Sequence, residues 1–168
     1  PDRVIRHSKM EGLEIETITR APASLPGALI ELTLLNASGE PREIEVGIKV
    51  AGRLLHTIEG WASIGPTVEQ GWTGIDTNSD LSEEFPEKWR YESGLGAVLF
   101  SSRPQSFSTH GSLPAPDRME EKTLLYSIQI GADELWKLQF VVALGESEEE
   151  SVELYQQLHS HPKIDYLT

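Results

Sequence analysis

The feature that most constrains this chain is a run of period two. From Glu43 to Val50, the residues Ile44, Val46, Ile48 and Val50 alternate with Glu43, Glu45, Gly47 and Lys49. Successive side chains on a strand point to opposite faces, so one face of this run is β-branched throughout and the other largely polar. That pattern suits an antiparallel sheet with one buried and one wetted side. Ile30, Leu32 and Leu34 alternate similarly with Glu31 and Thr33, and the intervening Asn36-Ala37-Ser38-Gly39-Glu40-Pro41 has turn chemistry. Together the two runs predict a hairpin.

The same reading extends along most of the chain. Arg3 to Ser8 and Leu13 to Arg20 flank Met10-Glu11-Gly12 and predict another hairpin, with Leu13 and Ile15 inward. Thr123 to Ile130 and Leu135 to Leu144 flank Gly131-Ala132-Asp133-Glu134 and predict a third. Its inward sets are Leu124, Tyr126, Ile128 and Ile130, then Leu138, Phe140, Val142 and Leu144. A further strand is expected near Leu95 to Ser102. Short turns join these runs, without the helices that parallel βαβ units require, so the expected fold is an all-β antiparallel sandwich. Two regions break the alternation and read as long middle loops: Gly65 to Trp89, and Arg103 to Glu121 with its three prolines. At the end, Ser147 followed by Glu150 makes a capping box. Leu154, Tyr155, Leu158 and His159 then follow helical spacing up to Pro162. The expected organisation is a β-sandwich over 1–145, then a C-terminal helix and linker over 146–168 that leads toward a downstream domain.

Charge narrows the partners. With 14 Lys+Arg against 27 Asp+Glu the formal charge is -13, which repels a phosphate backbone, and no compact basic cluster stands out. Nucleic acid is not an expected partner. No stretch of roughly 18 apolar residues is present to span a bilayer, and Pro1-Asp2-Arg3-Val4 lacks a signal-peptide layout and suggests a fragment. There is no cysteine, which rules out thiol chemistry and disulfides and points to a reducing, cytoplasmic compartment.

Few residue patterns carry chemistry. Asp76-Thr77-Asn78-Ser79-Asp80-Leu81-Ser82, with Glu87 at the twelfth position, has the alternating oxygen donors of a calcium loop, but Leu81 stands where the turn needs glycine. A solvated acidic loop is the simpler reading, and no metal is expected. His159 and His161 could converge at a helix end, yet zinc asks for three or four ligands. His7, His56 and His110 are isolated, and no nucleophile elbow or phosphate-binding glycine loop occurs. No catalytic residue and no cofactor are assigned. The aromatic residues Trp61, Trp72, Trp89 and Tyr91 cluster in or beside the irregular middle region. Flat rings there suit the apolar face of a sugar, and the same rings could anchor loops onto the core. Trp136, within a strand pattern, reads as structural.

Leu13-Glu14-Ile15-Glu16-Thr17, followed by Ala28 to Gly39 with its strand and Asn36-Ala37-Ser38-Gly39 turn, resembles the amino-terminal sandwich of six-hairpin glycosidases such as glycogen-debranching and glucosidase-like enzymes. Leu138 to Gly145 is similar to the last sandwich strand of that mutarotase-like domain, and Glu148 to His159 to the helix that enters the (α/α)6 barrel. The resemblance implies a non-catalytic accessory domain that packs on a downstream catalytic barrel and lends a loop to an oligosaccharide site. An independent carbohydrate-binding module and a stand-alone mutarotase-like enzyme are the alternatives.

Overall fold

The computed structural model describes residues 3–23, 25–50, 88–103 and 106–160. Ten strands and one helix follow in order. They are β1 (Arg3–Met10), β2 (Leu13–Arg20), β3 (Gly27–Asn36), β4 (Arg42–Lys49), β5 (Lys88–Glu92), β6 (Ala97–Arg103), β7 (Ser106–Leu113), β8 (Arg118–Glu120), β9 (Thr123–Ile130), β10 (Leu135–Gly145) and α1 (Glu148–Ser160). All strand pairs are antiparallel. A seven-stranded sheet runs β1-β2-β3-β10-β7-β6-β5, and a three-stranded sheet runs β4-β9-β8.

The sandwich core lies between the two sheets. Leu34, Val98, Leu138 and Phe140 from the large sheet meet Leu124, Tyr126 and Ile128 from the small one. In β9 the expected inward set is buried, and in β10 Leu138 and Phe140 are buried while Val142 packs beside them. In β4, Ile44, Val46 and Ile48 alternate faithfully with wetted neighbours but are only half-buried. Among the described residues β4 is an edge of the small sheet, paired with β9 on one side.

Two of the expected hairpins are something else. β3 lies between β2 and β10, whereas β4 pairs with β9, so the chain crosses from one sheet to the other after Asn36. The same holds for β9 and β10. Period two fixes which face of a strand is inward but not which strand lies beside it, and both readings assumed the sequence neighbour. Asn36 joins the two crossings. Its side chain is wholly buried, and its Nδ2 donates to Glu40 O at 2.7 Å and Gly131 O at 3.0 Å. Its Oδ1 accepts from Ser38 Oγ at 2.6 Å, while its backbone exchanges bonds with Glu134 O and Asp133 N at 3.0 and 2.8 Å. The residue that reads as turn chemistry is a staple between two inter-sheet arches.

The region Arg103 to Glu121 also differs from expectation, since it holds β7 and β8 rather than mainly loop. β7 is a central strand with sequence SFSTHGSL, and its buried residues include Ser106, Ser108, Thr109 and Ser112. Both of its faces are covered, and close approach on the helix side calls for small side chains there. On the outer face, a Cβ at Gly111 would sit 2.8 Å from Tyr155 Cζ and 2.9 Å from Ala97 Cβ, too close for any side chain. Thr109 Oγ1 meets Ser151 Oγ at 2.9 Å. The middle excursion from Gly65 lies outside the described residues up to position 87, and its expected end, Trp89, belongs to β5.

Helix α1 forms as its capping box predicts. Glu150 N–H donates to Ser147 Oγ at 3.1 Å, and the Glu150 carboxylate accepts from Glu146 N–H at 2.7 Å. Tyr155 and Leu158 are buried against Leu29, Val141 and Ala143, with Leu154 beside them. The helix thus docks on the outer face of the large sheet. A helix this short is marginal alone and depends on that burial.

Candidate functional site

The sequence places its site at four aromatic residues, and two of them are described. β5 pairs with β6 in the register Trp89↔Phe100 and Tyr91↔Val98. That register turns Trp89 and Tyr91 to the inner face, against the sandwich core, and leaves Arg90 to form an ion pair with Glu148 at the start of α1. The Trp89 ring lies 4.1 Å from that of Phe100, tilted by 32°. The Lys122 ammonium stands over the indole at 4.4 Å from its centroid, a cation–π contact that takes up an aromatic face. Trp89 and Tyr91 therefore anchor the edge of the large sheet and remain half-exposed. Trp61 and Trp72 lie outside the described residues. So do the acidic loop Asp76 to Glu87, His56 and His161. Trp136 packs edge-on to Tyr126 at 6.0 Å, in the core as expected.

Beside Trp89, a polar strip that sequence reasoning did not find runs along the inner face of β7. His110 Nε2 lies 2.6 Å from Ser108 Oγ, and its ring is 6.4 Å from Phe140. Burial lowers the His110 pKa to about 4, so the imidazole is neutral at pH 7. Farther along, Ser112 Oγ donates to Pro114 O at 2.8 Å, so the 2.5 Å bond to Tyr126 Oη takes its hydrogen from the tyrosine. Ser106 Oγ is buried without a hydrogen-bond partner. A serine beside a neutral histidine has the composition of a nucleophile and its base. Here Ser108 is 1 % exposed, so substrate cannot reach it. The pair satisfies two buried polar groups between the sheets. The signal in the sequence was the run of small polar residues with Gly111, too short of apolar residues to read as a core strand.

The other histidines are accounted for locally. His7 Nδ1 lies 3.4 Å from Glu16 Oε2 on the exposed hairpin, and His159 stacks against Tyr155 at 5.4 Å. Among the described residues, no group of three or more His, Cys, Asp or Glu side chains could hold a metal ion. A cleft of about 190 Å3 opens between β5, β6, β7 and the start of α1, with Lys88, Arg90, Phe107, Glu148 and Ser151 in its wall. It falls below the roughly 300 Å3 at which small-molecule sites begin.

No family model matches the sequence, and no curated protein matches it. Among solved structures, the fold is similar to part of a chain described as "Putative kojibiose phosphorylase from human microbiome", with a TM-score of 0.53 at 9% identity. The match covers 94% of this chain and 20% of that one. At this identity the likeness shows the fold. It extends over nearly the whole chain, and it corresponds to one part of a much longer polypeptide.

Proposed function

We propose that this chain is a non-catalytic β-sandwich domain of a carbohydrate-active enzyme, set amino-terminal to an (α/α)6 catalytic barrel in the same polypeptide. The observation that carries the reading is the fold likeness over 94% of the chain to one fifth of the chain described as a kojibiose phosphorylase. It agrees with the resemblance to six-hairpin glycosidases in the Leu13 to Thr17 and Ala28 to Gly39 segments and in α1. The described site supports the accessory role, because its serine and histidine pair is closed to substrate and its rings are engaged in packing. No helix among the described residues is long and apolar enough to cross a membrane, and a cytoplasmic enzyme is part of the proposal.

Within this reading, Trp61, Trp72 and the parts of Trp89 and Tyr91 that packing leaves exposed contribute to oligosaccharide recognition beside the barrel's own cleft. The test is to measure steady-state kinetics on glucosides for the native polypeptide carrying Trp61→Ala, Trp72→Ala or Trp89→Ala. A raised KM with kcat and thermal stability unchanged marks a substrate contact. Stability lost in step with activity would assign that ring to anchoring alone. Kinetics identical to the native enzyme after removal of the entire sandwich would overturn the accessory role.

A further inference from the structure

Among the described residues β1 is the outermost strand of the large sheet, and all eight of its residues are exposed. Its hairpin with β2 turns through Glu11 and Gly12, both with positive φ, 50° and 80°. This is the primed turn whose twist matches paired strands. In a two-residue hairpin the flanking pair, here Met10 and Leu13, exchanges both of its backbone bonds, and bonded and non-bonded pairs alternate from there. The backbone groups of Ser8, Arg6 and Val4 therefore engage β2. Those of Lys9, His7 and Ile5 point away from it, along an edge with no neighbouring strand among the described residues.

The side chains on this edge form two distinct faces. Arg3, Ile5, His7 and Lys9 share one face, and Val4, Arg6, Ser8 and Met10 the other. Val4 and Met10 are 53% and 59% exposed. β1 contains no acid, although the whole chain carries a net charge of -13. β2 already shows what such a strand accepts. Its Glu14 and Glu16 face Lys9 and His7 at 2.5 and 3.4 Å, while its other face offers Leu13 and Ile15. Among the described residues, Arg3 and Arg6 enter no ion pair.

We propose that the free edge of β1 is a docking strand for an extended partner segment in which acidic residues alternate with apolar ones. The partner's acids face Arg3, His7 and Lys9, and its apolar residues continue the face of Val4 and Met10. Main-chain bonds to Ile5, His7 and Lys9 supply affinity, and the alternating side chains supply specificity. A second copy is a poor occupant, because β1 contains no acid to set against Arg3, Arg6 and Lys9. Basic residues on an edge also serve as a guard against unwanted pairing, and the experiment separates the two roles. The inference does not depend on the sandwich serving a carbohydrate-active enzyme.

The full chain is titrated with a short synthetic peptide of alternating valine and glutamate, and separately with its valine and lysine counterpart. The glutamate peptide is expected to bind, to slow hydrogen exchange at the amides of Ile5, His7 and Lys9, and to weaken as salt is added. His7→Pro removes an outward N–H without touching the bonds to β2 and should weaken binding about tenfold. Arg3→Glu with Lys9→Glu should shift preference toward the lysine peptide. Circular dichroism and thermal melts confirm that both variants remain folded. Equal binding of both peptides, protection elsewhere than on β1, full affinity in His7→Pro, or no binding at all would overturn the proposal. So would concentration-dependent self-association that His7→Pro abolishes, since that names a second copy as the occupant.

Discussion

Replacing Asn36 with alanine tests the inter-sheet arches directly. The native side chain is fully buried. Its amide hydrogens satisfy Glu40 O and Gly131 O at 2.7 and 3.0 Å, and its oxygen accepts from Ser38 Oγ at 2.6 Å. The three shortest of its hydrogen bonds, at about 1 kcal/mol each, give about 3 kcal/mol, and leaving a part-buried carbonyl unsatisfied costs about 1 kcal/mol more. Water entering the space left by the amide offsets part of this. The expected loss is therefore about 3 to 4 kcal/mol, read as a shift in the urea midpoint at unchanged slope. Asn36→Asp should cost at least as much at neutral pH, because a carboxylate oxygen would then face the two carbonyls that the amide now donates to. Ser38→Ala removes the hydroxyl that bonds Oδ1 and Glu40 O but leaves the amide bonds of Asn36 in place, and should cost about 1 kcal/mol. In a simple β3–β4 hairpin Asn36 would be a solvated turn residue, and all three substitutions would fall within about 0.5 kcal/mol of the native protein. That result would refute the arch.

Other outcomes follow from the packing. Phe140→Ala should cost about 3 to 5 kcal/mol, since its ring lies in the sandwich core at 6 % exposure; a near-neutral melt would contradict that core. Gly111→Ala should destabilise by about 1 to 3 kcal/mol through collision with Tyr155, and less so in a Tyr155→Ala background, which a double-mutant cycle in urea would measure. His110 has a folded pKa near 4 and an unfolded one near 6.5. The unfolded chain thus binds the proton first, and stability falls as pH drops from about 6.5 to about 4, by up to about 3 kcal/mol. Urea midpoints at pH 7 and pH 4.5 check this, with His110→Gln expected to show a shallower fall; an equal fall would remove His110 as the cause.

How much of this was legible depends on what each segment had to satisfy. β4 and β9 face the core with one side, so alternation of Ile, Val, Leu and Tyr announced them, and β10, covered by α1 as well, was announced by its apolar run from Leu138 to Leu144. α1 carried its own start signal in Ser147 and Glu150. β7 gave no such signal, because α1 covers one face and the small sheet the other, and close approach on the helix side required Thr109 and Gly111. The pairing of β4 with β9 and of β3 with β10 was equally invisible. It depends on contacts between segments far apart in the chain, which local periodicity does not encode. For the candidate site, the sequence singled out Trp89 and Tyr91 by composition alone. Their inward orientation follows from the β5–β6 register, which only the folded sheet reveals. The Ser108–His110 pair was legible as residues two apart on a strand but hidden by the loop reading of that region.

The sandwich is proposed to serve a carbohydrate-active enzyme without being its catalyst. The most direct measurement is turnover of α- and β-glucosides by the highly purified chain, alongside the native polypeptide that contains it. No turnover by the chain alone and measurable turnover by the polypeptide are expected. Turnover by the chain, abolished by a single carboxylate substitution within it, would contradict the claim.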